Sequence, residues 1–389
     1  YILLKAFWSA TMRIAYVFDG IYPWRKGGVQ KRIYEIARRL VKRGWEVYWY
    51  GVGWWLRNNP AKVIEQDGII LHAVCNPIKL HVNGRRTISG ALYFASKLLP
   101  ELLKEKVDII DCQSLPSTQC FASKLHELLR RSNLVITWHE VWTGYWFEYL
   151  GIMGIFGEFA EYLVAKLANV NIAVSEMTKK NLQYIGVKNV VVVPNGVDLE
   201  VIRRVKASDE TSDIIFVGRL IKEKNVDVLI KALKIVKSEI QDVRCIIIGD
   251  GPERRRLEVL TKELGLDRNV AFKGFLDSDE DVLAYMKASR VFVLPSTREG
   301  FGIVALEANA CGLPVVTVNH ERNAAVELIR NGTGYLCKLD ERDLAEKILR
   351  GLAEGESLRQ KCIRNAMQYD WERIASKIDY VYKSCLDGS

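Results

Sequence analysis

Residues 291–316 read VFVLPSTREGFGIVALEANACGLPVV. Val291 to Leu294 is an unbroken apolar run of strand length, Pro295 to Glu299 a turn, and about Phe301 to Ala310 a helix. A glycine-led turn and a second apolar strand, from Val315, complete the unit. Strands apolar on both sides, joined through a helix, belong to a parallel sheet covered on both faces. Glu299 and Glu307 stand in this unit with seven residues between them. Glu299 falls at the loop-to-helix junction and Glu307 about two turns along the helix, so both can face one side. Gly300 and Gly302 allow close approach of the backbone to a ligand and leave free N–H groups at a helix N-terminus, which suits an anion. A capping Glu followed by an ordinary amphipathic helix explains the same residues, and the rest of the chain has to decide.

The same rhythm extends in both directions. Strands are predicted at Arg13–Phe18, Glu46–Val52, Ile69–Ala73, Val107–Asp111, Leu134–Thr137, Val170–Val174 and Val190–Val193, with helices between most of them. Asn58 to Asp67 is the least regular part, and Trp45, Trp49, Trp54 and Trp55 nearby suggest a rim of amphipathic rings. After the turn Pro194-Asn195-Gly196 the rhythm restarts, from Ile214 to Cys337. Three helical segments, Glu341–Leu352, Ser357–Gln368 and Trp371–Leu386, close the chain. The fold class is therefore α/β, with two Rossmann-like, doubly wound domains facing across a cleft. We assign residues 12–196 to the first domain, 197–370 to the second, and 371–389 to a helix that crosses back to the first. Residues 1–11 precede Met12 and are expected to be an N-terminal extension.

At 389 residues the chain exceeds the roughly 250–300 residues that one core supports, in keeping with two domains. Eight cysteines are scattered without a C-x-x-C pair, so neither a zinc ribbon nor a redox motif is indicated and a reduced, cytoplasmic protein is expected. No apolar stretch reaches the about 18 residues of a spanning helix. The net charge of +9 is uneven: residues 1–196 hold 25 Lys/Arg against 15 Asp/Glu, and residues 197–389 hold 31 against 32. The basic first half is either a solvated surface or one attracted to an anionic membrane or a phosphorylated acceptor. No nucleic-acid module occurs, and nucleic acid is not an expected partner.

Ligands of doubly wound sheets bind at the carboxyl ends of the strands. Gly218-Arg219 follows one strand, with Lys224 at the start of the next helix: a planar fork and a point charge, suited to a diphosphate or simply a solvated loop. Gly249-Asp250-Gly251-Pro252 and Lys273-Gly274-Phe275 follow the next two strands and equally suit plain turns. In the first half, Gly27-Gly28 precedes a helix without forming a G-x-G-x-x-G fingerprint, and His139 follows a strand.

The segments PWRKGGV, TWHEVW, VVPNGVD, FVGRLIKEKN, IIGDGP, FKGF and the stretch at 291–316 occur in this order. Together they resemble the family-4 retaining glycosyltransferases of the GT-B fold, over nearly the whole chain from Met12. One departure is Asn225, where that family usually has Gly. The resemblance implies a hexosyl transfer from a nucleotide-diphosphate sugar to a glycan, a lipid-linked acceptor or a small molecule, with His139, Arg219, Lys224 and Glu299 at the reacting centre. Arg219 and Lys224 would hold the diphosphate, Glu299 the donor sugar and Glu307 the ribose. Gly300, Phe301, Gly302 and Ile303 would present backbone N–H groups to the donor, with Gly218, Gly249 and Phe275 on the same side. Gly27 and Gly28 would line the cleft near phosphate and acceptor. No cofactor is implied and no metal is expected, since the two cations can supply the charge. A 2-epimerase or a non-catalytic nucleotide-sugar binder would share these motifs. The aromatic stretch Tyr145 to Lys166 reads as a buried helix and loop, or as a surface touching a bilayer or a lipid-linked acceptor.

Overall fold

The computed structural model describes residues 11–82, 85–329 and 332–387; the expected extension lies, apart from Thr11, outside the described residues. The first half forms an eight-stranded sheet from β1 (Arg13–Val17), β2 (Glu46–Val52), β3 (Val63–Gln66), β4 (Ile69–Cys75), β7 (Ile109–Gln113), β8 (Asn133–Trp138), β9 (Val170–Ala173) and β10 (Val190–Val192). Their order is β10-β9-β8-β7-β1-β2-β4-β3, parallel except for the antiparallel edge strand β3. A two-residue pair, β5 (His81–Val82) and β6 (Arg85–Arg86), lies outside it. In the second half β11 (Ile214–Val217), β12 (Cys245–Ile248), β13 (Val270–Gly274), β14 (Val291–Leu294), β16 (Val315–Val318) and β18 (Gly334–Cys337) form a parallel sheet in the order β13-β12-β11-β14-β16-β18. The short strands β15 (Arg298–Glu299) and β17 (Arg322–Asn323) pair beside it.

Helices cover both faces of each sheet. In the first half these are α1 (Gly28–Lys42), α2 (Ile88–Leu102), α3 (Ser117–Arg130), α4 (Tyr145–Leu150), α5 (Gly154–Val164) and α6 (Glu176–Tyr184). α7 (Leu199–Arg204) leads to α8 (Val226–Glu239), α9 (Arg254–Glu263), α10 (Asp279–Lys287), α11 (Ile303–Ala310), α12 (Val326–Ile329), α13 (Glu341–Ala366) and α14 (Trp371–Asp387). Helix α1 shows why they sit as they do: Ile33, Ile36, Ala37 and Leu40 make one buried stripe at helical spacing. Side-chain caps start several helices, with Ser175, Asp198, Ser278 and Asp340 each accepting a backbone N–H from the first turn.

The chain crosses between the halves at Val197 and again at Asp370, and the crossings pair: Val197 N–H donates to Tyr369 O (2.9 Å) and Trp371 N–H to Val197 O (3.2 Å). Beyond that point α14 joins the core of the first sheet through Trp371, Ile374, Ile378 and Tyr382.

Three local expectations need correction. Residues 58–67 contain the edge strand β3, which no apolar alternation announced. Trp45, Trp49 and Trp55 are core residues, at most 3% exposed, and form no rim. The segments 341–352 and 357–368 are one 26-residue helix. Its glycines serve close packing: a Cβ on Gly351 would stand 3.1 Å from Val291, and one on Gly355 3.4 Å from Pro314.

Candidate functional site

The strand ends of the second half form a tight backbone floor. Gly218 N–H donates to Ile248 O (3.0 Å), Gly249 N–H to Gly274 O (2.7 Å) and Leu220 N–H to Asp250 O (3.0 Å). Gly249 has φ 133°, and a Cβ there would stand 1.9 Å from Gly218 O. Gly249 therefore has a structural reason to be glycine, independent of any ligand, whereas a Cβ on Gly218 would meet only the edge of the Phe216 ring, at 3.2 Å.

Lys224 ends a short turn above this floor and forms an ion pair with Glu299. Asn225 holds that turn. Its backbone is left-handed (φ 48°, ψ 40°), a conformation Asn tolerates better than most residues other than Gly. Its amide donates to Pro295 O (3.0 Å), Glu223 O (3.2 Å) and Thr297 Oγ1 (3.3 Å). The departure from the family pattern thus keeps the glycine-like backbone and adds side-chain ties to the loop that carries Glu299. The Arg219 side chain is exposed and makes no ion pair among the described residues, so no contact brings it to Lys224.

Glu307, on α11, is nearly buried, and its partner comes from the other half: Lys31 Nζ lies 2.8 Å from Oε1. Lys31 also reaches Asp279 (3.4 Å), and Lys26 bonds to the Asp277 carbonyl. Burial tends to lower the Lys31 pKa, but the Glu307 and Asp279 carboxylates outweigh it and hold the ammonium charged. The first turns of α1 and α11 meet here, where a Cβ on Gly28 would stand 3.0 Å from Ile303 Cδ1. A Cβ on Gly27 would meet the Gln30 side chain. Asp277, Asp279 and Asp281 have Asp-x-Asp spacing, but they lie at the start of a Ser278-capped helix and Asp279 faces these lysines. Among the described residues no group of three or more His, Cys, Asp or Glu is arranged to hold a metal.

His139 leaves β8 beneath the Glu299 loop. A Cβ on Gly300 would stand 1.9 Å from the His139 carbonyl oxygen, so only glycine fits that approach. Gln113 Nε2 donates to Asp111 Oδ1 (3.0 Å), which turns Gln113 Oε1 toward His139 Nε2 (2.7 Å). Nε2 then carries the proton and Nδ1 is an acceptor. Burial, with Arg32 nearby, pushes the His139 pKa down to about 3, so the ring is neutral at physiological pH. Asp111 also accepts from Thr137 Oγ1 (2.8 Å) and from Tyr382 OH (2.5 Å) on α14.

The other wall of the cleft carries residues to which the sequence motifs give no individual role. Arg298 Nε lies 3.1 Å from Glu140, and its guanidinium sits over Tyr145 (4.1 Å) and Trp142 (4.6 Å). Arg322 pairs with Glu148 (2.7 Å), and Tyr145 OH donates to Glu223 (2.6 Å). These residues border two adjoining cavities, one of which reaches Glu299 and Gly300. Arg298 adjoins Glu299 in sequence and faces TWHEVWTGYW, a proximity that one chain read alone does not reveal. Phe275 is an exposed ring, whereas Phe301 is buried edge-on to Tyr369 (5.9 Å) and leaves only its backbone to a ligand. Glu299, Gly300, Lys224 and His139 thus converge; Glu307, Gly28 and Ile303 form a second cluster; Arg219 and Phe275 are exposed and join neither through an ion pair or ring contact among the described residues.

Comparison with known proteins agrees with this architecture. Residues 198–369 match the family model for glycosyl transferases group 1, and residues 26–201 match glycosyltransferase family 4. The chain is 25% identical to a phosphatidylinositol N-acetylglucosaminyltransferase subunit from Arabidopsis thaliana, over 96% of this chain and 82% of that protein. It is 28% identical to a GDP-mannose-dependent alpha-(1-6)-phosphatidylinositol dimannoside mannosyltransferase of Mycobacterium tuberculosis, over 57% of this chain and 60% of that one. Among solved structures, a sucrose-phosphate synthase from Thermosynechococcus elongatus superposes with a TM-score of 0.79 at 20% identity, covering 97% of this chain and all of that one. HepE of Anabaena, solved with UDP and glucose, does so with a TM-score of 0.73 at 21% identity, covering 96% of this chain and all of that one.

Proposed function

Since the chain belongs to the family-4 glycosyltransferases of the GT-B fold, we propose that it moves a hexosyl group from a nucleotide-diphosphate sugar to a lipid acceptor of the phosphatidylinositol class, with retention at the anomeric carbon. The observation that carries this reading is the Lys224–Glu299 pair above a glycine floor, facing His139. Without donor, the two charges satisfy each other. A diphosphate offers Lys224 a stronger partner and releases Glu299 to accept hydrogen bonds from the hexose hydroxyls.

Bond cleavage leaves negative charge on the departing diphosphate and positive character on the sugar. Lys224, the α11 N-terminus and Arg219, once it turns inward, stabilise the former. The neutral His139 ring offers Nδ1 to a sugar hydroxyl, and its carbonyl meets Gly300. Glu299, once released to the hexose hydroxyls, acts as a binding group, not as a nucleophile. The leaving phosphate takes the acceptor proton on the same face of the sugar, which accounts for retention. Glu307 exchanges its contact with Lys31 for the ribose hydroxyls. Names of two relatives, both acting on phosphatidylinositol compounds, support the acceptor class. Peripheral contact with an anionic membrane follows from such an acceptor, and no described helix is long and apolar enough to cross a membrane.

Thermal unfolding in the presence of UDP-, GDP- and ADP-sugars tests the reading. One nucleotide class is expected to raise Tm, by an amount equivalent to about 2.7 kcal/mol at a hundredfold excess over Kd. No shift with any nucleotide sugar would overturn it.

A further inference from the structure

Exposed apolar side chains are distributed very unevenly. Of 23 large apolar residues exposed among the described ones, 15 lie between Ile88 and Leu163, and only five belong to the whole second half. They are arranged as stripes. On α2, Ile88, Leu92 and Tyr93 share one outward face. On α3, Phe121, Leu125 and Leu128 follow at steps of four and three residues, and on α5, Ile155, Phe159 and Tyr162 repeat the pattern, with Phe156 beside them. Each of these helices already buries a separate stripe against the sheet: Phe94 and Leu98 on α2, Cys120 and Ser123 on α3, Glu161 and Val164 on α5. The outward stripes are thus surplus to the core. Helix α3 touches both α2 and α5, so the stripes lie side by side as one face. Leu128 is 67% exposed, Phe156 64% and Ile152, at the turn before α5, 87%. A contiguous apolar face of this kind marks an interaction surface.

We propose that the outward face of α2, α3 and α5 seats the protein on an anionic lipid bilayer, with the acceptor cavity opening at its edge. The inference rests on the lipid-acceptor reading above. Charge and edge chemistry single out a bilayer. The basic excess lies on the α2–α3 part of the face: residues 76–131 hold nine Lys/Arg against five Asp/Glu, whereas residues 132–166, which carry α5, hold one against four. At two edges of the face a lysine lies over a tyrosine one turn before it: Lys97 on Tyr93 (5.9 Å) and Lys166 on Tyr162 (4.1 Å). Tyr rings and snorkelling Lys stems are suited to the headgroup level, where an apolar body meets water. The face also continues into the site. Gly154 and Gly157 leave room for Trp146, since a Cβ on Gly157 would stand 2.4 Å from its ring, so α4 and α5 pack closely. Tyr145, at the start of α4, borders the cavity that reaches Glu299. A lipid held in the bilayer under α5 would need to lift only its headgroup to enter.

The test is sedimentation with phosphatidylcholine vesicles, with and without phosphatidylserine, at two salt concentrations. Neither donor nor acceptor is needed, so the outcome is independent of whether the glycosyl-transfer reading holds. The triple variant Leu92→Ser, Leu128→Ser, Phe156→Ser changes only exposed positions and is expected to keep its Tm and any nucleotide-sugar shift. Its partition onto anionic vesicles should fall by about tenfold or more, and wild-type binding should weaken with salt. Tyr184→Ser with Tyr380→Ser, which removes exposed rings elsewhere, should bind as the wild type does. Wild-type protein that ignores vesicles, or a triple variant that binds equally well, would overturn the proposal. So would dimers of the wild type that the triple variant abolishes without any vesicle binding, since the face would then join two copies of the chain.

Discussion

The two halves repeat one architecture but spend their strand ends differently. In the second half the exits of β11, β12 and β13 are sewn together by backbone hydrogen bonds at and beside glycines, and the charged groups stand on that floor. In the first half the ends of β7 and β8 carry side-chain polar groups: buried Asp111, Gln113 and Thr137 and half-buried His139 form one bonded chain, and α14 adds Tyr382. A backbone floor tolerates little change in shape, whereas a side-chain network can change its polarity without moving the chain. The donor side is thus shaped by glycine sterics and the opposite side by hydrogen-bond satisfaction.

The sharpest way to break this contrast is at the ion pair. Lys224→Ala and Glu299→Ala are each expected to lower kcat/KM by about 10²–10³-fold, as for the loss of one preorganised group at a charge-developing centre. The double variant should be little worse than either alone, because the two groups act as a unit. Steady-state kinetics decide the matter, and full activity in both single variants would remove the pair from the site.

Asn225 separates backbone from side chain within the second half. Asn225→Ala must place a Cβ-bearing residue without a local hydrogen bond at φ 48°, at a cost of about 1–2 kcal/mol, and loses three side-chain ties. Asn225→Gly keeps the backbone freedom and loses only the ties. The expected order of Tm is wild type, then Gly, then Ala, with activity reduced by about tenfold in both variants if the ties position Glu299. Wild-type activity in the Gly variant would show that the backbone alone matters.

The first half should show itself through pH. His139 has a depressed pKa in the fold, about 3, against about 6.5 when unfolded. Between these values the unfolded chain binds a proton that the folded chain does not, so stability rises with pH across that window. His139 therefore contributes fully above about pH 6.5 and loses its contribution as pH falls, by about 1.4 kcal/mol per pH unit. His72, depressed to about 4 chiefly by burial, adds a similar slope above its own value. Urea unfolding from pH 7 to 4.5 should show a shallower acid slope in His139→Gln than in the wild type, and an unchanged slope would place His139 in water.

Much of the fold was legible because its strands are continuous apolar runs and its helices carry one buried stripe. Where those signals failed, packing had overruled them. Gly351 and Gly355 look like helix breaks but let α13 lie close to Val291 and Pro314. Trp45 and Trp49 look like rim residues but fill the core between the first sheet and its helices. For the site, Glu299, Glu307, Lys224 and the glycines stood out by their spacing. Arg298, Trp142 and Tyr145 did not, because an arginine beside a carboxylate has meaning only once the opposing half is in place.

What the sequence alone determined is local: the alternation of strand and helix, the break after Asn195-Gly196, and a Glu pair flanking glycines at a helix start. Periodicity and turn chemistry act over a few residues, and a single chain displays them in full. Tertiary structure alone decided the partners. Lys31 on Glu307, Gly300 on the His139 carbonyl, and Tyr382 on Asp111 span from 161 to 276 positions of sequence. Such contacts arise when the two covered sheets close on one another and α14 returns to the first of them, and no local pattern specifies which side chains then meet.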